Sequence, residues 1–162
     1  MALGATSVRG NHDRYLVEQE PEAKWPSDRI AHAQLDQAAH LDWLRSLAVT
    51  ACFRDMIYLC HATPANDEVY GLETVMPDGA VRLSSIKAIG QAALGIEQSL
   101  ILCGHSHIPR AIRLRNGRMV VNPGSVGGPR LPRQCAVSAF DGNRNPPMPA
   151  TPFWSCARVI GR

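Results

Sequence analysis

The chain has 162 residues, 45% of them hydrophobic and 19% charged, with a formal net charge of +3. That length suits one domain with a real core, and so small a charge excess gives no argument for a nucleic-acid or membrane partner. No apolar run approaches the length of a membrane span, and the start, Met1-Ala-Leu-Gly, has neither the basic region nor the apolar core of a secretory signal.

Thr6 to Arg9 is short and partly β-branched, and Gly10 breaks it, so it reads as a strand ending in a loop that presents Asn11 and His12. Tyr15 to Pro26 is polar and holds two prolines, which predicts loop. From a cap at Ser27 or Asp28, apolar Ile30, Leu35, Ala38, Leu41 and Leu44 recur at helical spacing and predict one helix to about Ser46. His32 and His40 on it read as surface or flanking histidines.

Ala51 to Arg54 and Met56 to Cys60 read as two strands with Asp55 near the turn, and His61 leaves the end of the second. Residues 65 to 81 read as a long irregular region with a turn at Pro77-Asp78-Gly79; loops of that length are uncommon unless functional, which suggests that it shapes a substrate pocket. Ser84 to Gln98 reads as a helix weakened by Gly90 and Gly95. Leu100 to Cys103 is an apolar run that suits a buried strand, and Gly104 permits a tight exit into His105-Ser106-His107. Two imidazoles one residue apart suit one metal ion, or one each of a neighbouring pair; the plainer reading is two loop histidines bonded to backbone. Asn116-Gly117, between runs 111–115 and 118–121, predicts a hairpin with a type I′ turn. A glycine-rich loop follows from Asn122 to Pro129, read as a tight return with some lining of the site beside His107. Residues 131 to 162 form an irregular tail rich in proline and arginine, with Ala136 to Phe140 as a weak strand candidate, so that 1–130 reads as the domain and 131–162 as its tail.

The cysteines, Cys52, Cys60, Cys103, Cys135 and Cys156, are odd in number and form no C-x-x-C pair. They read as buried, reduced thiols acting as small hydrophobes, which points to a reducing compartment and a cytoplasmic protein.

Taken in order, Gly10-Asn11-His12-Asp13, the strand ending in His61, and Gly104-His105-Ser106-His107 resemble the calcineurin-like metallophosphoesterase superfamily, from about Gly10 to Gly128. The resemblance implies an α/β fold, the family's two-sheet αββα sandwich. It implies metal-dependent hydrolysis of phosphate esters, as a phosphatase or phosphodiesterase, with a metal-bound water as nucleophile. In such chemistry two ions about 3.5–4 Å apart clamp the phosphoryl oxygens, and a positioned acid protonates the leaving oxygen, worth about 10²–10⁴-fold. By resemblance Asn11, His61 and His105 are ligands of the second metal, His107 is a ligand of the first, and His12 is the general acid. Asp13 or a neighbouring carboxylate orients His12 on this reading. Arg14 sits near the phosphate or, more ordinarily, is a solvated surface arginine.

The family's Asp-x-His and Gly-Asp motifs lie upstream of Gly-Asn-His-Asp, where this chain has nine residues, and no Asp-x-His occurs elsewhere. The expected fold is therefore incomplete at its start, the first β-α-β unit missing, and its end does not match the family's closing strands. The expected cofactors are divalent metal ions (Mn, Fe, Zn or Ni), two in the family and one or fewer here. A phosphoester is the expected partner. The alternative is a non-catalytic interaction scaffold, as the retromer subunit of the same superfamily is, or an inactive gene fragment; the retained histidines favour catalysis.

Overall fold

The structure is a computed structural model and describes residues 4–18, 26–35, 39–126 and 159–160. Along the chain come β1 (Ala5–Thr6), α1 (Asn11–Glu18), α2 (Pro26–Gln34), α3 (Ala39–Ser46), β2 (Thr50–Phe53) and β3 (Ile57–Cys60). Then follow β4 (Glu73–Val75), β5 (Val81–Leu83), α4 (Ile86–Ala92), β6 (Leu100–Leu102), β7 (Arg110–Arg113), β8 (Met119–Asn122) and β9 (Val159–Ile160).

The main sheet has the order β2-β3-β6-β8-β7. Its centre, β3-β6-β8, is parallel, and both edges are antiparallel. β1 pairs with β9, and β4 with β5, as separate two-stranded ladders. This is the expected α/β class. The parallel strands carry short runs of Ile, Leu, Val and Cys, and strand alternation sends every second residue to one face. Cys60, Ile101, Cys103 and Val120 go to the face covered by α4, where they close a core with Leu72, Ile89, Ala93, Ile112 and Leu114. Ser85 caps α4 by accepting from the Ala88 amide. A buried pair, Arg110 Nε to Glu73 Oε1 at 2.8 Å, ties the β4–β5 hairpin to β7.

Several expectations shift. The expected strand from Thr6 is two residues long, with Val8 bridging Ala48. The expected loop after His12 is helical from Asn11 to Glu18. The reason is a cap: Asp13 Oδ2 accepts from the Gly10 amide at 2.8 Å, and the Arg14 amide donates to Gly10 O at 3.0 Å. The helix expected over 27–46 is two, starting at Pro26, whose fixed φ suits a first turn. Part of the irregular 65–81 region is the β4–β5 hairpin, whose Pro77-Asp78-Gly79 turn is closed by Met76 N–H to Ala80 O at 2.8 Å. The helix expected over 84–98 stops at Ala92, ahead of Gly95 at φ 79°. At Asn116-Gly117 the hairpin forms, but only Gly117 has positive φ, 86°. Its amide donates to Leu114 O at 2.9 Å while Leu114 N–H meets Arg118 O at 2.8 Å, a three-residue loop ending on a left-handed glycine rather than type I′. The Asp55 turn does have two positive φ values, 50° at Arg54 and 55° at Asp55. The 136–140 strand candidate, Cys135, Cys156 and the tail other than β9 lie outside the described residues.

Candidate functional site

β3, β6 and β8 end side by side, and the loops beyond their C-terminal ends meet the start of α1. That is the edge at which open α/β sheets bind ligands. The Gly104 amide donates to His61 O at 2.7 Å, locking the first two loops together. Above this lock His61 Nε2 lies 2.9 Å from Asn11 Oδ1 and 3.3 Å from His105 Nδ1. The approach requires a glycine beneath it: a Cβ on Gly10 would stand 2.8 Å from two atoms of the His61 ring.

His105 and His107 both have left-handed backbone, φ 65° and 59°, which costs a residue with a Cβ about 1–3 kcal/mol. The loop is held there from below. Asn122, 1% exposed, donates from Nδ2 to Gly104 O at 2.7 Å and to Ser106 Oγ at 3.0 Å, and its Oδ1 accepts from the Gly124 amide at 2.8 Å. The glycine-rich loop thus begins by fastening the histidine loop, as well as standing beside it.

Burial, then the neighbouring His105, pushes His61 down to about 4. Burial also lowers His105. Both rings are therefore neutral at pH 7, the state a metal ligand needs. His107 stands close enough that its charge would depress both. Asp67 acts on the two rings in the opposite sense.

His12 follows Asn11 on α1 and is half-exposed. Its Nδ1 donates to Asp28 Oδ1 at 2.7 Å, and the Asp28 side chain is 5% exposed. This bond sets the tautomer and leaves Nε2 outside it. Asp28, on α2, is therefore the orienting carboxylate, whereas Asp13 serves the helix cap. Tyr15 meets the His12 ring edge-on at 5.6 Å and donates its hydroxyl to Glu68. Arg14 is partly exposed and held in ion pairs: Nε and Nη2 grip Asp67 at 2.7 and 3.0 Å, and Nη2 reaches Glu68 at 2.8 Å. His32 lies on α2 and His40 on α3.

The family model of the calcineurin-like phosphoesterase superfamily domain matches residues 2–143. The chain belongs to that superfamily. Its members act on phosphoesters and generally use divalent metal ions. A metallophosphoesterase from Sphaerobacter thermophilus is similar in fold, with a TM-score of 0.55 and 24% identity over 76% of this chain and 56% of that one. A hypothetical protein from Pyrococcus horikoshii OT3 aligns at a TM-score of 0.46 and 18% identity, over 74% of this chain and 51% of that one. The chain thus spans about half the length of these two structures. No curated protein matches.

For a calcineurin-like domain the donor chemistry at this edge is unusual. Among the described residues no three His, Cys, Asp or Glu side chains stand together as a metal cage; the third donor beside the two imidazoles is the amide oxygen of Asn11. His61 Nε2 is the middle of the three, 2.9 Å from Asn11 Oδ1 and 3.3 Å from His105 Nδ1. These three donors are all neutral. Asp28, Asp67 and Asn122 are the residues that sequence reasoning missed. The first reads only as a helix cap, the second lies in the irregular 65–81 region, and the third reads only as the start of the glycine-rich loop.

Proposed function

We propose that this domain hydrolyses phosphate esters in a reaction dependent on one divalent metal ion. The observation that carries the reading is that His61 Nε2 stands 2.9 Å from Asn11 Oδ1 and 3.3 Å from His105 Nδ1, with His12 beside Asn11 in the first turn of α1. Asn11, His61 and His105 would hold the ion, and His107 would border it. When bound, such an ion supplies electrostatic stabilisation of the phosphoryl oxygens and activation of water. The chain's own part is proton management. Water adds to phosphorus, the ester P–O bond breaks, and the leaving oxygen takes its proton from His12 Nε2. Asp28 aligns that ring. An exposed ring on the first turn of a helix can reach a substrate without moving the ligands.

The test is metal content by elemental analysis, paired with hydrolysis of nitrophenyl phosphate mono- and diesters with added Mn²⁺. The expected result is about one ion per chain and turnover. His105→Ala should lose both, and His12→Ala should lose turnover by about 10²–10⁴-fold while keeping the ion. An ion-free, inactive wild-type chain would sink the proposal and favour the scaffold reading.

A further inference from the structure

An open cleft of about 650 Å³ begins at His105 and runs along the β4–β5 hairpin toward α4. That volume lies within the range of pockets that hold drug-sized molecules, about 300–1,000 Å³. Its near wall is aromatic: the Tyr70 ring stands 5.0 Å from the His105 ring, tilted by 46°. Farther out Val69 and Val75, both lining it, are 55% and 53% exposed. Two β-branched apolar side chains held bare on one rim beside an aromatic wall favour an apolar ring. Of the polar side chains there, Thr74 Oγ1 and Ser84 Oγ bond each other at 2.7 Å and so engage both hydroxyls.

The charge is one-sided. Glu68 and Glu73 line the cleft and no lysine or arginine does so among the described residues. Glu73 is bonded to Arg110, whereas Glu68 gathers Arg14 and the Tyr15 hydroxyl on the side of His12. The Tyr15–Glu68 link runs from beside the His12 ring to the cleft wall. The end of the cleft thus includes the candidate ligand His105, and Glu68 connects its wall through Tyr15 to the His12 ring.

We propose that this cleft is the binding site for the leaving group and selects an uncharged aromatic alcohol, excluding leaving groups with an anionic substituent. The proposal rests on the phosphoester reading for its place in the reaction, and the binding it asserts does not need the metal. The probe is therefore 1-naphthol, titrated into the protein in EDTA and followed by naphthol fluorescence, with 1-naphthoate as the anionic comparison.

Saturable naphthol binding is expected, with naphthoate at least tenfold weaker. Val69→Asp and Val75→Asp, at exposed positions where a charge does not disturb folding, should each weaken naphthol at least tenfold. Leu94→Asp, equally exposed but off the cleft, should leave it unchanged. No saturable binding, naphthoate binding as well as naphthol, or no response to Val69→Asp and Val75→Asp would overturn the proposal. Naphthol binding without hydrolysis of 1-naphthyl phosphate would fail the phosphoesterase reading alone. Mn²⁺-dependent hydrolysis of ethyl phosphate without naphthol binding would fail the cleft alone.

Discussion

His61 Nε2 and Asn11 Oδ1 lie 2.9 Å apart although the residues are 50 positions apart in the chain. One comes off a parallel strand and the other opens a helix, so their meeting is a tertiary achievement and not a local turn. The pair is neutral, which limits its hold on a cation. Asn11→Asp should therefore tighten Mn²⁺ binding at least tenfold, and Asn11→Ala should weaken it by a similar factor, as read by isothermal titration calorimetry. Equal affinity in all three proteins would remove Asn11 from the ligand set.

Gly10 makes that meeting physically possible. A methyl group there would stand 2.8 Å from the His61 ring, inside contact distance. Gly10→Ala should cost about 1–3 kcal/mol, visible in a urea melt, and should also reduce Mn²⁺ affinity because the ring must move. A stability loss with unchanged affinity would mean that His61 yields without consequence for the site.

Much of this was legible beforehand, and the boundary has a physical cause. The strands carrying His61 and His105 show as apolar runs because both faces of β3 and β6 meet other structure, and a run of such residues leaves a plain trace. Asn11, His12, His61 and His105 are legible because ordered motifs at fixed spacing are more specific than any one of them. The start of α1 was missed because its signal is a single carboxylate, Asp13, reaching back to Gly10. Asp28 was read only as a cap. Its bond to His12 crosses 16 residues and depends on how α1 and α2 pack. Asn116-Gly117 marked the right turn with the wrong geometry, since the dipeptide allows but does not compel positive φ at both residues.

The Arg14–Asp67 grip should set the acid limit of the fold. The Arg14 hydrogen bond holds Asp67 below its ordinary value of 3.8. A carboxylate with a depressed folded pKa contributes stability that is complete above that ordinary value and is lost as pH falls through the lower, folded value. Urea midpoints should therefore be flat from pH 6 to about 4.5 and fall below pH 4. Asp67→Asn should lower the plateau by about 1–3 kcal/mol, because it leaves a half-buried guanidinium short of a partner, and should flatten the acid limb. An acid limb identical to wild type in Asp67→Asn would assign acid sensitivity to other carboxylates.

The loop His105-Ser106-His107 trades stability for placement. Left-handed backbone at His105 and His107 is tolerated because Asn122 fastens Gly104 and Ser106 beneath them. His107→Gly should raise stability by about 1 kcal/mol by removing the Cβ from a disfavoured conformation. Asn122→Ala should lower it by about 1–3 kcal/mol, since it leaves the part-buried Gly104 carbonyl and the buried Ser106 hydroxyl without that donor. Differential scanning calorimetry on the metal-free protein separates the two, because strain relief and anchor loss move the melting temperature in opposite directions. If His107→Gly also abolishes turnover while melting higher, the strain belongs to the function rather than to the fold. A lower melting temperature in His107→Gly would mean that the imidazole's own contacts outweigh the backbone strain.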